Sequence, residues 1–139
     1  MSFQEKIAAL GNLTTPFGVK TQQEEKHGGI DVANKKGTPI PAFAGGTVVQ
    51  TIDGKPHGEQ SFGNSVILKD KNNIMHRYSH LANVMVKPGQ QVGEGQKVGT
   101  IGDSGATYAP KGQDSSNLDF RIVKANGELL NPAQYIDSL

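Results

Sequence analysis

A histidine and an aspartate stand four residues apart in the sequence KHGGID, with two glycines between them. His27 and Asp31 offer an imidazole and a carboxylate, and both groups bind divalent metals. Gly28 and Gly29 let the backbone turn tightly enough to direct both side chains to one point. Since the chain contains no cysteine, any bound metal must use imidazole and carboxylate ligands. The spacing alone also fits a loop histidine that is hydrogen-bonded to a carboxylate.

Two later segments are predicted strands, in which alternate side chains point to opposite faces. In NLDFRIV the apolar residues form the face toward the core, and the polar residues Asn117, Asp119 and Arg121 line a surface or cleft. The same rule, applied to IMHRYSH, predicts one shared face for three residues: His76, Tyr78 and His80. The spacing along the chain cannot bring these groups to His27 and Asp31, so only the fold can join them.

The elements that must position these residues are predicted to be antiparallel strands. Short β-branched runs alternate with glycine-containing turns in GTVVQTI, SVILKD, IMHRYSH, VMVKPG, QKVGTIG and NLDFRIV. Residues 12–26 read as a loop or a short extended segment that enters the site. The pattern predicts an all-β fold with few helices.

Both chain ends carry helix signals. Ser2 and Glu5 form a capping-box pattern, which predicts a short helix that ends at Gly11. Near the other end, Asn131 is followed by a proline, which predicts an N-cap and a helical turn over residues 133–138.

Length and composition exclude several classes of function. The 139 residues suit one domain with one core. The net charge is +1 and the lysines are scattered, so nucleic-acid binding is not expected. No apolar run approaches the roughly 20 residues that span a membrane, and no export signal begins the sequence. We therefore expect no membrane insertion and no leader in the chain as given.

Several motifs together resemble the lysostaphin-type (LytM-type) zinc endopeptidases of bacterial cell walls. These motifs are HGGID, GTPIPA, GGTVV, GNSVIL, YSHL, VKPGQQVGEGQKVGTIGDSG and NPAQY, in the order typical of that family. The resemblance implies a compact antiparallel β-sandwich or curved sheet. It divides the chain into an N-terminal helix and linker, residues 1–15, and a peptidase-fold domain, residues 16–139.

The resemblance also implies a metal site, but one motif departs from the family. His27 and Asp31 match the first two metal ligands, and His80 matches a catalytic histidine. The family's HLHFE reads NLDFR here, so that Asp119 stands in the place of the third ligand and Asn117 in the place of the second catalytic histidine. A site of one histidine and two aspartates is predicted to hold one divalent metal, either zinc or manganese or iron, or else to be metal-free.

Other residues of the cleft are predicted from the same resemblance. Substrate contacts are expected from three residues: Asn64, Tyr78 and Asn117. The alternative for His80 is a cleft histidine hydrogen-bonded to Tyr78 or Asn64. His57 and His76 are expected to be exposed or structural. The loop ATYAPKGQDSS, residues 106–116, is predicted to recognise a partner or to cover the groove.

Two functions are consistent with these residues. The first is a peptidase-fold domain with a degenerate active site that is catalytically impaired or inactive. It would bind a peptidoglycan stem or cross-bridge peptide, or a protein partner in a larger assembly such as a phage tail or injection machine. The second is an active metal-dependent endopeptidase that uses His27, Asp31 and Asp119. The first predicts that Arg121 pairs with Asp119 and takes the place of the cation. Both place the protein's action outside the cytoplasm or in a virion.

The hairpin-like repeat VKPGQQVGEGQKVGTIG also admits a lipoyl- or biotin-carrier interpretation. A carrier requires a modifiable lysine at a hairpin tip, whereas Lys97 is predicted to lie within a strand. The carrier function is therefore disfavoured.

Overall fold

Short strands joined by tight turns account for most of the structure. The computed structural model describes residues 1–21, 24–53, 62–105, 107 and 112–139. In chain order its elements are α1 (Phe3–Leu10), β1 (Asn12–Thr15), β2 (Ile30–Ala33), β3 (Pro39–Pro41), β4 (Gly46–Ile52), β5 (Ser65–Lys69), β6 (Met75–Ser79), β7 (Leu81–Val84), β8 (Gln91–Val92), β9 (Lys97–Ile101), β10 (Asn117–Val123), β11 (Leu129–Leu130) and α2 (Pro132–Ser138).

These strands form two antiparallel sheets. The larger sheet has the order β1-β2-β10-β6-β5-β4-β8, with β11 added beside β10, and the smaller sheet has the order β3-β9-β7. The predicted antiparallel all-β fold is confirmed. Strand β10 lies between β2 and β6, and it therefore carries its polar face past the segment that follows His27.

The core is one continuous cluster that takes side chains from both sheets and both helices. The period-two prediction for NLDFRIV is confirmed on its apolar side, because Leu118, Phe120 and Ile122 are fully buried. The Phe120 ring packs edge-on against Phe43 and close to Tyr78, with ring centroids 4.8 Å apart in both pairs. Aromatic packing of this kind fixes β10, and with it the polar residues on its opposite face.

The helix predictions at both ends are confirmed. The Ser2 hydroxyl accepts the Glu5 amide, and the Glu5 carboxylate accepts the Ser2 amide, so the capping box is complete. At the other end the Asn131 side chain accepts the amides of Ala133 and Gln134. No helix in the described part of the chain is long and apolar enough to span a membrane.

The strand predicted at VMVKPG is misplaced. Strand β7 begins at Leu81 and ends at Val84, so most of the predicted segment lies beyond it. The reason is the backbone at His80, whose φ of 65° ends β6 and allows the chain to enter the smaller sheet immediately afterwards.

Candidate metal centre and its surroundings

The three predicted metal ligands meet at one point of the larger sheet. Asp119 on β10 lies directly opposite Asp31 on β2, and His27 precedes β2 by three residues. One ligand atom from each of the three residues lies within 4.8 Å of the others. Two carboxylates directly opposite each other on neighbouring strands repel, so a cation between or beside them stabilises this arrangement.

Gly28 and Gly29 permit this meeting for a different reason from the one predicted. Neither has the positive φ of a left-handed turn. A Cβ atom on Gly29 would instead collide with the Phe120 carbonyl oxygen, and one on Gly28 would come within 2.6 Å of Arg121 Nη1. The glycines let the segment lie directly against β10, which brings His27 close to Asp119.

The His27 ring has a defined environment. It is 4% exposed, and Nδ1 lies 3.1 Å from a carboxylate oxygen of Glu24. If Nδ1 carries the proton, it donates to Glu24 and Nε2 is left with a lone pair. Burial alone lowers the pKa of His27, but the carboxylates of Asp31, Asp119 and Glu24 outweigh it and raise the pKa.

The atoms on the other side of the ring fit a metal. His27 Nε2 and Asp31 Oδ1 are 3.1 Å apart. Both are buried, and within the described residues neither forms a hydrogen bond of acceptable geometry. With His27 neutral and its proton on Nδ1, the Nε2 lone pair and the Asp31 oxygen face a common point, as metal ligands do; with His27 protonated, the same contact is an ion pair. The donor set of one imidazole and carboxylates therefore remains compatible with a divalent ion.

The Arg121 guanidinium is hydrogen-bonded to Asp119, the third predicted metal ligand. Arg121 Nε donates to one Asp119 oxygen at 2.9 Å and Nη2 donates to the other at 3.0 Å. The same guanidinium donates to both oxygens of Glu24, at 2.8 and 3.1 Å. Burial alone lowers the pKa of Arg121, but these hydrogen bonds raise it, so the cation is permanent. The predicted pairing of Arg121 with Asp119 is confirmed.

Glu24 is a member of the site that sequence reasoning missed. Burial alone raises the pKa of Glu24, but the hydrogen bond and charge of Arg121, with His27, lower it overall. The carboxylate thus links the imidazole of His27 to the guanidinium of Arg121. The only sequence feature that could have predicted this role is the position of Glu24, three residues before His27, and acidic residues at that spacing are too common to identify a site.

His80 follows Ser79, which lies opposite Asp119 on β10, and it is held by a different partner from the two predicted. Its Nδ1 lies 2.8 Å from the Ser104 carbonyl oxygen, which fixes Nδ1 as the donor and leaves Nε2 available. The expectation that His80 shares a face with Tyr78 is wrong, because the positive φ of His80 breaks the strand alternation. The alternative hydrogen bond to Tyr78 or Asn64 is not formed in the described structure.

Tyr78 belongs to the core. The residue is fully buried, and its hydroxyl accepts the Phe43 amide at 3.0 Å. Burial raises the pKa of the Tyr78 hydroxyl, which stays neutral. A buried side chain whose hydroxyl is committed to the backbone has no surface for a substrate, so the predicted substrate contact of Tyr78 is corrected.

The two asparagines are held by backbone carbonyls. Asn64 is 7% exposed and donates to the Leu81 carbonyl at 3.2 Å, while its own side-chain oxygen forms no hydrogen bond within the described residues. Asn117 is half-buried and donates to the Ser115 carbonyl at 2.8 Å. Their predicted contacts with a substrate stay predictions.

The other histidines stand apart from the site. His76 is fully buried, and its Nε2 lies 2.8 Å from the Asp70 carboxylate, which also accepts the Tyr135 hydroxyl at 2.5 Å. This agrees with the expected structural role of His76. His57 lies outside the described residues, as does most of the loop predicted over residues 106–116.

Comparisons with known proteins agree with the fold. The family model for Peptidase family M23 matches residues 25–132 of this chain. The peptidoglycan DD-endopeptidase ShyA of Vibrio cholerae is 37% identical over 90 residues, which are 65% of this chain and 20% of that protein. The murein hydrolase activator NlpD of Escherichia coli strain K12 is 31% identical over 126 residues, 91% of this chain and 29% of that protein.

Among solved structures, LytU superimposes with a TM-score of 0.74 and 27% identity, covering 93% of this chain and 86% of the LytU chain. The chain spans less than a third of the length of the two curated relatives.

Proposed function

Since this chain belongs to Peptidase family M23, we propose that it is a non-catalytic member that binds cell-wall peptides on the face of the larger sheet beside its candidate metal centre. One observation carries the proposal. The Arg121 guanidinium donates to both oxygens of Asp119, and it thereby supplies the positive charge that a metal would supply at this position.

The proton-handling residues support the same conclusion. His80 keeps one ring nitrogen available, but the position of the second family histidine is Asn117. An amide can donate a hydrogen bond, but it cannot take up and release a proton at neutral pH. A peptide bound here can be oriented, while one of the two groups that move protons in the family is missing.

The names of two relatives support a role at the cell wall. One relative bears the name murein hydrolase activator and another the name peptidoglycan DD-endopeptidase. We infer that the chain acts at the cell wall, where it presents a stem or cross-bridge peptide or regulates a protein that cuts one. A place in a phage tail or injection assembly stays a prediction.

The second candidate is an active endopeptidase, and it is favoured by the geometry of His27 Nε2 and Asp31 Oδ1. Those two buried atoms face each other without a hydrogen bond. His27, Asp31 and Asp119 would hold the ion, which when bound supplies a Lewis acid for the scissile carbonyl. Each Asp119 oxygen already accepts one hydrogen bond from Arg121, so the ion would compete with the guanidinium for that carboxylate. His80 Nε2 would then be the group that handles protons.

Two assays separate the candidates. Protein purified without chelators is analysed for bound metal, and dye release from labelled peptidoglycan is measured with added zinc or manganese. We expect substoichiometric metal, no dye release, and co-sedimentation of the protein with insoluble peptidoglycan. Stoichiometric metal, together with dye release that disappears in His80→Ala, would establish the endopeptidase instead.

A gain-of-function variant tests the cause of inactivity. The triple variant Asn117→His, Asp119→His and Arg121→Glu restores the family's HLHFE sequence at residues 117–121. If inactivity is due to these positions, the variant should bind metal and release dye, and His80→Ala on the same background should abolish the release. A folded, metal-loaded triple variant without activity would place the defect in the peptide-binding face instead.

A further inference from the structure

Two arginines lie directly opposite each other next to the candidate metal centre. Arg77 on β6 pairs in register with Arg121 on β10. Both guanidinium groups lie over the ring of Phe62, with Arg77 at 4.3 Å and Arg121 at 4.6 Å from the ring centroid. Like charges in directly opposed positions are unfavourable, and an aromatic ring offsets only part of the cost.

The two arginines differ in their acidic partners. Arg121 holds the carboxylates of Asp119 and Glu24. Arg77 forms no ion pair with any residue that the structure describes, and its one side-chain hydrogen bond there is donated by Nε to the Ser79 hydroxyl at 3.2 Å. Nη1 and Nη2 of Arg77 have no acceptor among the same residues.

The position of Arg77 makes this lack of a partner costly. Its side chain is half-buried in the central region of the larger sheet. Burial lowers the pKa of Arg77, Asp119 opposes this, and Arg121 lowers it further. A partly desolvated cation beside a second cation is stabilised by any anion that reaches it.

We propose that Arg77 is a carboxylate-binding residue of the peptide-binding face, which recognises a free carboxylate of a cell-wall peptide. Arg77 and the cluster of His27, Asp31 and Asp119 share the β6–β10 region of the sheet, so a peptide lying beside the cluster also passes Arg77. The inference rests on the proposed function and adds to it the chemical group that this face selects.

The geometry of Arg77 suits a carboxylate. Its Nε is tied to Ser79, and one face of its guanidinium is covered by Phe62. Both contacts restrict the side chain and leave its two terminal nitrogens as parallel donors. A planar fork of this kind matches the two oxygens of a carboxylate, and little conformational freedom remains to be lost on binding.

The test compares two soluble stem peptides that differ only in whether their carboxylates are free or amidated. Binding to the full chain is measured by calorimetry. Because a hydrogen bond to a charged group is stronger than a neutral one, we expect about 10-fold to 100-fold tighter binding of the free form. Arg77→Met should remove this preference, and Arg77→Lys should retain part of it because the charge stays while the fork is lost.

Lys97→Met is the matched control, since it removes an exposed cation of the smaller sheet and should keep the full preference. Equal binding of the two peptides by the wild type, or an unchanged preference in a folded Arg77→Met variant, would overturn the proposal.

A second measurement separates this inference from the proposed function. N-acetyl-D-alanine serves as a small carboxylate probe, with its amide as the uncharged counterpart, and the melting temperature is recorded with each. If the wild type binds neither stem peptide, the proposed peptide binding fails. Stabilisation of the wild type, but not of Arg77→Met, by the acid alone would still support an anion site at Arg77. If the acid does not stabilise the wild type selectively, the anion site at Arg77 is refuted.

Discussion

Charge reversal at Arg121 is the most direct perturbation of the candidate metal centre. The Arg121→Glu variant loses the two hydrogen bonds to Asp119 and the two to Glu24, and it places a further carboxylate among them. Asp119 is 4% exposed, so it cannot recover its solvation by turning into water. The variant therefore contains a buried cluster of acids without a permanent cation.

The cost can be estimated from the burial of the pair. Removing one partner of a buried ion pair costs about 3–5 kcal/mol of unfolding free energy. For a domain of this size, about 3–4 °C of melting temperature corresponds to each kcal/mol. We therefore expect a fall of roughly 10–20 °C without metal. Since a metal no longer has to compete with the guanidinium, its affinity should rise by roughly two to three and a half orders of magnitude.

The assay is thermal unfolding of the wild type and Arg121→Glu, each with a chelator and with zinc or manganese, followed by calorimetric titration. Metal at about 100 times its dissociation constant should return about 2.7 kcal/mol to the variant. Lys124→Glu is the control, because it reverses a cation whose partner, Glu128, is exposed. It should change neither stability nor metal affinity appreciably. An Arg121→Glu variant with wild-type stability and unchanged metal affinity would refute the blocking role of Arg121.

Three further predictions test residues around the site. Tyr78→Phe leaves the Phe43 amide without an acceptor, so the free energy of unfolding in denaturant should fall by about 1–3 kcal/mol. Peptide affinity should not change, and weakened binding would contradict the assignment of Tyr78 to the core. Burial lowers the pKa of His76, although Asp70 opposes this. The contribution of neutral His76 to the free energy of unfolding is therefore complete above pH 6.5 and is lost as the pH falls below that value. The difference in melting temperature between wild type and His76→Gln should shrink from pH 7.5 to 5.5, and a constant difference would exclude this linkage. Gly29→Ala should destabilise the fold and weaken metal binding, because the added Cβ cannot fit against the backbone of β10. A stable variant with normal metal affinity would disprove the close approach of Gly29 to β10.

The fold was accessible from the sequence wherever a local rule decides the structure. The alternation in Asn117–Val123 predicted which side chains enter the core, and the capping patterns at Ser2 and Asn131 predicted both helices. The rule failed at His80. A period of two assumes extended backbone, and nothing in the letters YSHL indicates a residue with φ of 65°. That one residue changes the face of its own side chain and the start of β7.

The site was accessible only in part. Arg121 and Asp119 are two residues apart on one strand, so their pairing follows from the period alone. Glu24 contacts Arg121 across 97 positions of sequence, and Phe62 reaches the same guanidinium from a turn before β5. Contacts of this length depend on the sheet order, which the local sequence does not encode. Arg77 was missed for the same reason, since its importance comes from the register that sets it opposite Arg121.

The balance of charge explains why one site can be described both as a metal centre and as an ion-pair network. Asp31, Asp119 and Glu24 converge around His27, and Arg121 supplies one permanent cation to them. One guanidinium does not neutralise three carboxylates, and the remaining negative field is what raises the pKa of His27. A second cation is therefore favoured even with Arg121 in place, either as a proton on His27 or as a metal. A divalent ion can take the place of that proton, but it competes with the guanidinium for Asp119, its third ligand. The competition between Arg121 and the metal for this carboxylate sets how tightly the site holds a metal, while Asn117 separately limits the proton transfer that an endopeptidase needs.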